Sequence, residues 1–472
     1  VAVGDVTFTG IPVEGVAVDV ADNDAPGVVI TESGGTTQVA ELDFGIGLRI
    51  DNYTVVLTRA PSDDKDVYVT VSAPVSSLKD QQAGSSSVLL YTNTGSDQTP
   101  SRAIELRFTA ANWNQPQTVF VQAINDAAEE GSRYAFIQHS ISKTSSAGYA
   151  GLALPNVAVK IIDDDVASAI LLPLAGNSLS SERIGTVNPI LEGSTALSSK
   201  SFALIVTKGA ADVTVNGGSQ LVVMGAPTST FAAPGTQLVT LRAVDDGIVE
   251  GPHRGVVTAT ASSSAVESTQ LEVAIADTNS PGVLILPSNG STRTIEGSGT
   301  GTPWTDTYSV VLTQAPAADT TVTVNVVVKP TPTTNSQLLA GTGFNQVNVS
   351  APSFTFTSAN WSTPQLVSVT AIDDTVADGA DIQAFARSIQ TVDGIRGPVI
   401  IEGGIDPKFD SALPTPRMYF NETNAQQHIN QPNPNFSAIE SDQIDILRVY
   451  NADAVAALAG TLTQTRLTGL GM

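Results

Sequence analysis

Apolar and polar positions alternate along this chain with a period of two. Val67–Ala73 (VYVTVSA), Thr118–Ile124 (TVFVQAI) and Thr321–Val328 (TVTVNVVV) each place apolar or β-branched residues on every second position or run β-branched throughout. That period belongs to half-buried strands, whereas a helix would repeat its apolar residues every 3.6 positions. Gly, Pro, Asn and Ser clusters such as Thr92–Ser101 and Lys329–Ser336 separate the strands, as loops at strand ends do. Seven or eight short strands per hundred-odd residues, without a convincing helical pattern, predict an all-β molecule of sandwiches.

The pattern repeats on a longer scale. NWNQPQTVFVQAINDAAEEG (Asn112–Gly131) returns as NWSTPQLVSVTAIDDTVADG (Asn360–Gly379), with a weaker copy at Ala233–Gly251. Upstream, LTRAP (Leu57–Pro61) matches LTQAP (Leu312–Pro316), and DAPGVVI (Asp24–Ile30) matches NSPGVLI (Asn279–Ile285). Each unit closes on an alternating stretch that runs into an acidic triplet, at Val16–Asp24, Val157–Asp165 and Leu271–Asn279. These joints predict sandwiches at 25–165, 166–279 and 280–406, preceded at 1–24 by the last strand of a truncated repeat. A different, strand-rich tail follows at 407–472. Within it Asn451–Gly460 reads equally as a short capped helix, while Gly460–Leu470 alternates like strands.

At these landmarks the chain resembles the Calx-beta and related β-sandwich repeats of large bacterial exoproteins. There an "IxDND" ending joins consecutive modules and a strand of the type "NWxxPQxVxVxAxDD…DG" lies in the second half of each. The resemblance implies a rod of tandem immunoglobulin-like or Calx-beta-like sandwiches with calcium in loops at one sandwich end. It covers about 25–406 and is weakest in the second unit. The "DY" of a central loop, which the family's strongest calcium binders add, is absent from this sequence.

Composition narrows the chemistry. The 472 residues carry 22 Lys+Arg against 46 Asp+Glu, a formal charge of −24, with no Cys and 3 His. So acidic a chain repels phosphate backbones, which argues against nucleic acid as a partner, and it has no thiol chemistry or cysteine metal site. The apolar runs are too short for a membrane span.

The acids gather where strands meet loops. One set is an early-strand glutamate: Glu32, Glu192 and Glu296. A second follows the landmark strand: Asp126, then Asp245 and Asp246, then Asp373 and Asp374, with Glu130, Glu250 and Asp378 four positions on. The joints add Asp22 and Asp24, then Asp163, Asp164 and Asp165, then Asp277. Hard oxygen donors in such numbers suit Ca²⁺, which takes six to eight of them, and make these residues the candidate ligands. The plainer reading stands beside it: Asp and Asn at strand ends are ordinary turn formers, and the joint is then a solvated hinge. Trp113 and Trp361 read first as core plugs and second as faces for a glycan.

His139, His253 and His428 occupy non-equivalent places without a zinc or triad pattern, and the acids recur with the unit instead of forming one special constellation. The sequence therefore predicts no enzyme. It predicts a structural component of an extracellular or cell-surface assembly, self-associating or flanked by neighbouring repeats. The rival readings are an adhesin that binds a glycan or host protein and, more remotely, the accessory region of a secreted hydrolase.

Overall fold

The computed structural model describes residues 2–375, apart from 12, 14, 43, 46, 74–86, 93–99, 130, 175–187, 194, 289–290, 298, 300, 302 and 330–344, together with 383–385, 460–462 and 467–469. The molecule is all-β, built as tandem sandwiches. Two strands come first, β1 (Ala2–Gly4) and β2 (Val18–Ala21). The first unit holds β3 (Val28–Glu32), β4 (Thr37–Ala40), β5 (Ile50–Leu57), β6 (Val67–Ser72), β7 (Val88–Tyr91), β8 (Ala103–Phe108), β9 (Gln117–Ala123), β10 (Arg133–Ile141) and β11 (Val157–Ile162). The second holds β12 (Ala169–Leu174), β13 (Ile190–Leu191), β14 (Ser199–Val206), β15 (Ala211–Asn216), β16 (Leu221–Met224), β17 (Thr228–Phe231), β18 (Gly235–Ala243), β19 (His253–Ala261) and β20 (Thr269–Ala276). The third holds β21 (Val283–Pro287), β22 (Thr292–Ile295), β23 (Thr305–Leu312), β24 (Val322–Asn325), β25 (Val347–Val349), β26 (Ser353–Phe356) and β27 (Gln365–Ala371), and β28 (Gln383–Phe385), which follows in sequence, pairs with β3 of the first unit. In the tail β29 (Gly460–Leu462) pairs antiparallel with β30 (Leu467–Gly469), while the alternative helix at Asn451–Ala459 lies outside the described residues.

Each sandwich repeats one plan. Its first sheet runs β3-β5-β9-β7, β12-β14-β18-β16 or β21-β23-β27-β25, and in the first unit β28 adds a parallel strand on the outer side of β3. Its second runs β4-β11-β10-β6-β8 in the first unit and β13-β20-β19-β15-β17 in the second. The strands that close this sheet pair parallel, β4 on β11 and β13 on β20, and all their neighbours pair antiparallel. Alternation sets the faces: along β9 the buried side chains are Val119, Val121 and Ala123, and along β15 they are Ala211, Val213 and Val215. The inward residues of both sheets, such as Ile30, Tyr53, Val69, Leu106, Phe108, Val121 and Val159, form the first core. Each such burial contributes roughly 1.5–3 kcal/mol, enough in sum to hold a unit without disulfides.

The landmark motif has a local cause. After β8 the Asn112 Oδ1 accepts the Thr109 amide at 2.6 Å, and after β26 the Asn360 Oδ1 accepts the Thr357 amide at 2.6 Å. The turn so fixed offers the carbonyls of Trp113 and Trp361 to the amides of Leu57 and Leu312, and both indoles pack on their cores. The tryptophans thus act as plugs.

The third sandwich is closed by the start of the chain. Its second sheet consists of β22 with β2, and of β1-β24-β26. The pair β2/β22 is parallel, with Val18 opposite Thr292 and Ala21 opposite Ile295, as β11/β4 is in the first unit. Phe8 is fully buried in the third core beside Tyr308, Leu312, Val324 and Phe356. Within the segment 1–24, which the sequence reads as the last strand of a truncated preceding repeat, the strand Val18–Ala21 pairs with the third unit.

Two joints carry apolar seats of their own. Ala40, Phe44, Leu48 and Ile162 of the first unit bury against Leu172, Leu174, Ala203 and Ile205 of the second. Ala21, Ile295 and Trp304 bury against Val29 and Val56 of the first unit in the corresponding way.

Candidate metal centres at the joints

Each site begins with a glutamate one residue beyond the short parallel strand of the second sheet. The amide of Glu41 donates to the Ile162 carbonyl at 3.0 Å, that of Glu192 to Ala276 at 3.1 Å and that of Glu296 to Ala21 at 3.0 Å. Three glutamates thus sit in one structural position, each against the end of the closing strand. All three are buried, at 1% exposure each.

The closing strand then turns through the acidic triplet. The first aspartate accepts the amide two residues on: Asp163 from Asp165 at 2.6 Å, Asp277 from Asn279 at 2.6 Å and Asp22 from Asp24 at 2.5 Å. Its second oxygen takes the amide of the turn glycine after the landmark strand, Gly131 to Asp163 at 2.5 Å and Gly251 to Asp277 at 2.9 Å. Both glycines have φ near +70° (Gly131 +73, Gly251 +71), a conformation that a Cβ disfavours. Burial alone would raise the Asp277 carboxyl, but the amides of Gly251, Asn279 and Glu250 outweigh it and hold the group below its usual range.

Three groups of ligand atoms result, each within 4.8 Å: Glu41, Asp163, Asp164 and Asp165; Glu192, Glu250 and His253; Asp22, Asp24 and Glu296. Burial pushes Glu41 up to about 7 although Arg133 Nη1 lies 3.0 Å from its Oε1. Glu192 is raised by burial, and Asp164 by burial and the neighbouring Asp165. Asp24 is raised by burial, then by Asp22, Asp374 and Asp373. Buried oxygens of Glu41, Asp24 and Asp165 (Oε2, Oδ2 and Oδ2) have no hydrogen-bond partner. Raised carboxyls and unfilled oxygens are what hard donors show when their counter-charge is missing, so the two all-carboxylate groups fit a divalent cation such as Ca²⁺, while the second group offers only two carboxylates beside the His253 imidazole.

The remaining candidates divide. Asp245 accepts from Asn279 and Asp373 from Asn23, which brings both loops to the joints. Asp126 lies near enough to raise Glu41, although its Oδ1 also caps the Ala128 amide. Asp246 caps the exposed turn at Ile248 and behaves as a turn former. Glu130 and Asp378 lie outside the described residues. Glu32 stands apart from the groups: it is buried, accepts the Thr37 hydroxyl at 2.6 Å, and burial raises it to about 7. Its place in the first group belongs to Glu41. His253, passed over in the sequence, lies 3.4 Å from Glu250 and 3.6 Å from Glu192. Arg133 and His253 both follow the turn glycine by two residues and oppose Ile161 and Ile275, so one base position faces the acids in both units. Lys208 of the second unit reaches Asp165 at 3.6 Å across the first joint.

No protein-family model and no curated protein matches the chain. Among solved structures, the chain is similar to CBD12 from CALX1.2 at 15% identity and a TM-score of 0.21, over 49% of this chain and 80% of that one. It is similar to the apo form of the Calx CBD1 domain at 18% identity and a TM-score of 0.18, over 29% of this chain and 99% of that one. A two-domain protein of unknown function from Bacteroides fragilis NCTC 9343 aligns at 11% identity and a TM-score of 0.19, over 54% of this chain and 93% of that one. With scores this low, the fold rests on the strand orders and registers above.

Proposed function

We propose that this chain is a non-catalytic structural segment of an extracellular or cell-surface assembly, in which Ca²⁺ at the joints stiffens a series of sandwiches. The observation that carries the reading is the recurrence of one buried glutamate beside the acidic end of one closing strand at the three joints among the described residues. An active site needs a single special constellation, whereas a stiffening device is useful at each repeat. In the first unit Glu41 and Asp163, Asp164 and Asp165 would hold the cation; at the start of the chain Asp22, Asp24 and Glu296 would do so; in the second unit Glu192 and Glu250 would supply the carboxylates. A bound Ca²⁺ would supply the positive counter-charge for these carboxylates. It would tie the short strand, the closing strand and the loop that leads into the next sandwich.

A ligand that binds only the folded state stabilises it by about 2.7 kcal/mol at a hundredfold excess over Kd. Thermal unfolding in millimolar Ca²⁺ should therefore lie several degrees above unfolding in chelator, with Mg²⁺ giving a smaller shift. Coincident curves in Ca²⁺ and chelator would contradict the reading.

A further inference from the structure

The second unit keeps the joint glutamate and loses most of the acids that face it elsewhere. Where the first closing strand runs into Asp163, Asp164 and Asp165, the second runs into Asp277, Thr278 and Asn279. Asp277 is engaged by the backbone: its Oδ1 takes the Asn279 amide at 2.6 Å, and its Oδ2 takes the amides of Glu250 and Gly251 at 3.1 and 2.9 Å. Those bonds fix the loop that carries Glu250 into β19, whose first residue is His253. Two carboxylates and one imidazole therefore meet, from the end of β13, the loop after β18 and the start of β19. Ca²⁺ takes six to eight oxygens, so this set suits it less well than the all-carboxylate groups.

Each member is oriented by a bond on its far side. The Glu192 side chain is wholly screened from solvent, and its Oε2 accepts the Thr278 amide at 3.2 Å and the Asn279 Nδ2 at 3.3 Å. Its Oε1 has no hydrogen-bond partner and faces the His253 Nε2 at 3.6 Å. The Glu250 Oε1 accepts the Gln220 Nε2 at 3.1 Å, while its Oε2 lies 3.4 Å from the same imidazole nitrogen. The His253 Nδ1 lies 2.9 Å from the Gly251 carbonyl, which can only accept, so Nδ1 carries the proton and Nε2 of the neutral ring presents a lone pair. That Nε2 is buried and has no hydrogen-bond partner either. A backbone carbonyl behind one ring nitrogen and carboxylates before the other is the setting of a metal-ligating histidine. The separations agree, since two atoms each about 2.0–2.1 Å from a tetrahedral ion stand roughly 3.3–3.4 Å apart, beyond the usual hydrogen-bond length.

We propose that Glu192, Glu250 and His253 form a site for a divalent transition metal of the Zn²⁺ class, different in chemistry from the carboxylate joints. Imidazole and carboxylate together suit such ions, and three protein ligands leave a further position for water. The first unit shows what the histidine changes. Arg133 holds the same place in the register, opposite Ile161 as His253 is opposite Ile275, and its guanidinium lies 3.0 Å from Glu41. A guanidinium has no lone pair to give, whereas a neutral imidazole has one. One position of the repeat thus carries a fixed charge in the first unit and a ligand in the second. The inference rests on the reading above only in placing a cation at the joint, and it changes the ion of the second unit.

Co²⁺ is the probe, because its visible absorption reports nitrogen and oxygen ligands directly. The full chain, stripped with chelator, is titrated with Co²⁺ near neutral pH. Saturable visible bands are expected, displaced by equimolar Zn²⁺ and kept in millimolar Ca²⁺. His253→Gln and Glu192→Gln should each weaken Co²⁺ binding by at least about tenfold, since loss of even an outer-shell partner costs about 10–100-fold, and His428→Gln should leave it unchanged. His253→Arg copies the base that the first unit carries in this position, so it should fold and give no bands, and it decides the matter should His253→Gln unfold. Absence of saturable bands in the parent chain, bands that survive in folded His253→Arg, or displacement of Co²⁺ by Ca²⁺ mole for mole overturns the proposal. The two readings separate cleanly. Bands that depend on His253 without a Ca²⁺ effect on unfolding keep this site and remove Ca²⁺ from the other joints, whereas Ca²⁺ stabilisation without Co²⁺ bands does the reverse.

Discussion

His139 and Glu32 show how one buried group can mask another. The His139 Nδ1 lies 2.9 Å from the Pro155 carbonyl, which can only accept, so this nitrogen carries the proton and Nε2 accepts the Tyr53 hydroxyl at 2.8 Å. Burial holds the ring down to about 4 from 6.5. Below pH 6.5 the unfolded chain takes up a proton that the folded one refuses, so this contribution is full above 6.5 and is lost as pH falls towards 4. Glu32 works the other way: burial holds it up to about 7 from 4.5, so its contribution is full below 4.5 and is lost as pH rises through 7. The two slopes oppose each other in the first sandwich, each worth roughly 3 kcal/mol over its window at about 1.4 kcal/mol per pKa unit. Glu32→Gln removes one slope. Urea unfolding in chelator should then show the first sandwich gaining stability from pH 4 to 6.5 more steeply in the variant than in the parent protein, and parallel profiles would contradict the assignment. At this scale the sequence was only partly legible. The joint aspartates stand beside repeated apolar endings and could be found by eye. Glu41 could not, because Glu32 lies nine positions earlier at the end of another short strand, and only the parallel pairing of Thr37–Ala40 with Val159–Ile162 shows which glutamate meets the acids.

Strands were the most legible level, since alternation is a local property and the landmark strands at Gln117–Ala123 and Gln365–Ala371 fall where the pattern puts them. Closing pairs were the least legible, because a parallel pairing across a whole unit leaves no mark in neighbouring residues. The alternating Val16–Val20 announced a strand in search of a sheet, but its partner Thr292–Ile295 lies more than 270 positions away. That distance yields a sharp expectation. Phe8 is buried in the third core, so Phe8→Ala should cost the third sandwich about 3–5 kcal/mol, as truncation of a buried aromatic usually does. Calorimetry should show one transition moving down and the transitions of the first and second sandwiches unmoved. A shift confined to the first unit, the nearest in sequence, would contradict the pairing.

Over the whole molecule, a charge of −24 meets folded units that gather their acids at joints, an arrangement that self-repulsion opposes unless cations intervene. Arg133 and Lys208 supply part of the counter-charge at the first joint and His253 offers a base at the second; at the joint of the third sandwich Arg59 is the only base among the described groups that act on Asp24, while Asp373 and Asp374 add further acids around Asp22 and Asp24. The joint that completes the third sandwich should accordingly bind Ca²⁺ most tightly. The measurement that bears most directly on this account is calorimetric titration of the chelator-treated chain with Ca²⁺, repeated on Glu41→Gln, Glu192→Gln and Glu296→Gln. Saturable binding is expected, with Glu296→Gln removing the tightest class of site and Glu41→Gln a weaker one. Absence of saturable binding, or isotherms unchanged in all three variants, would contradict it.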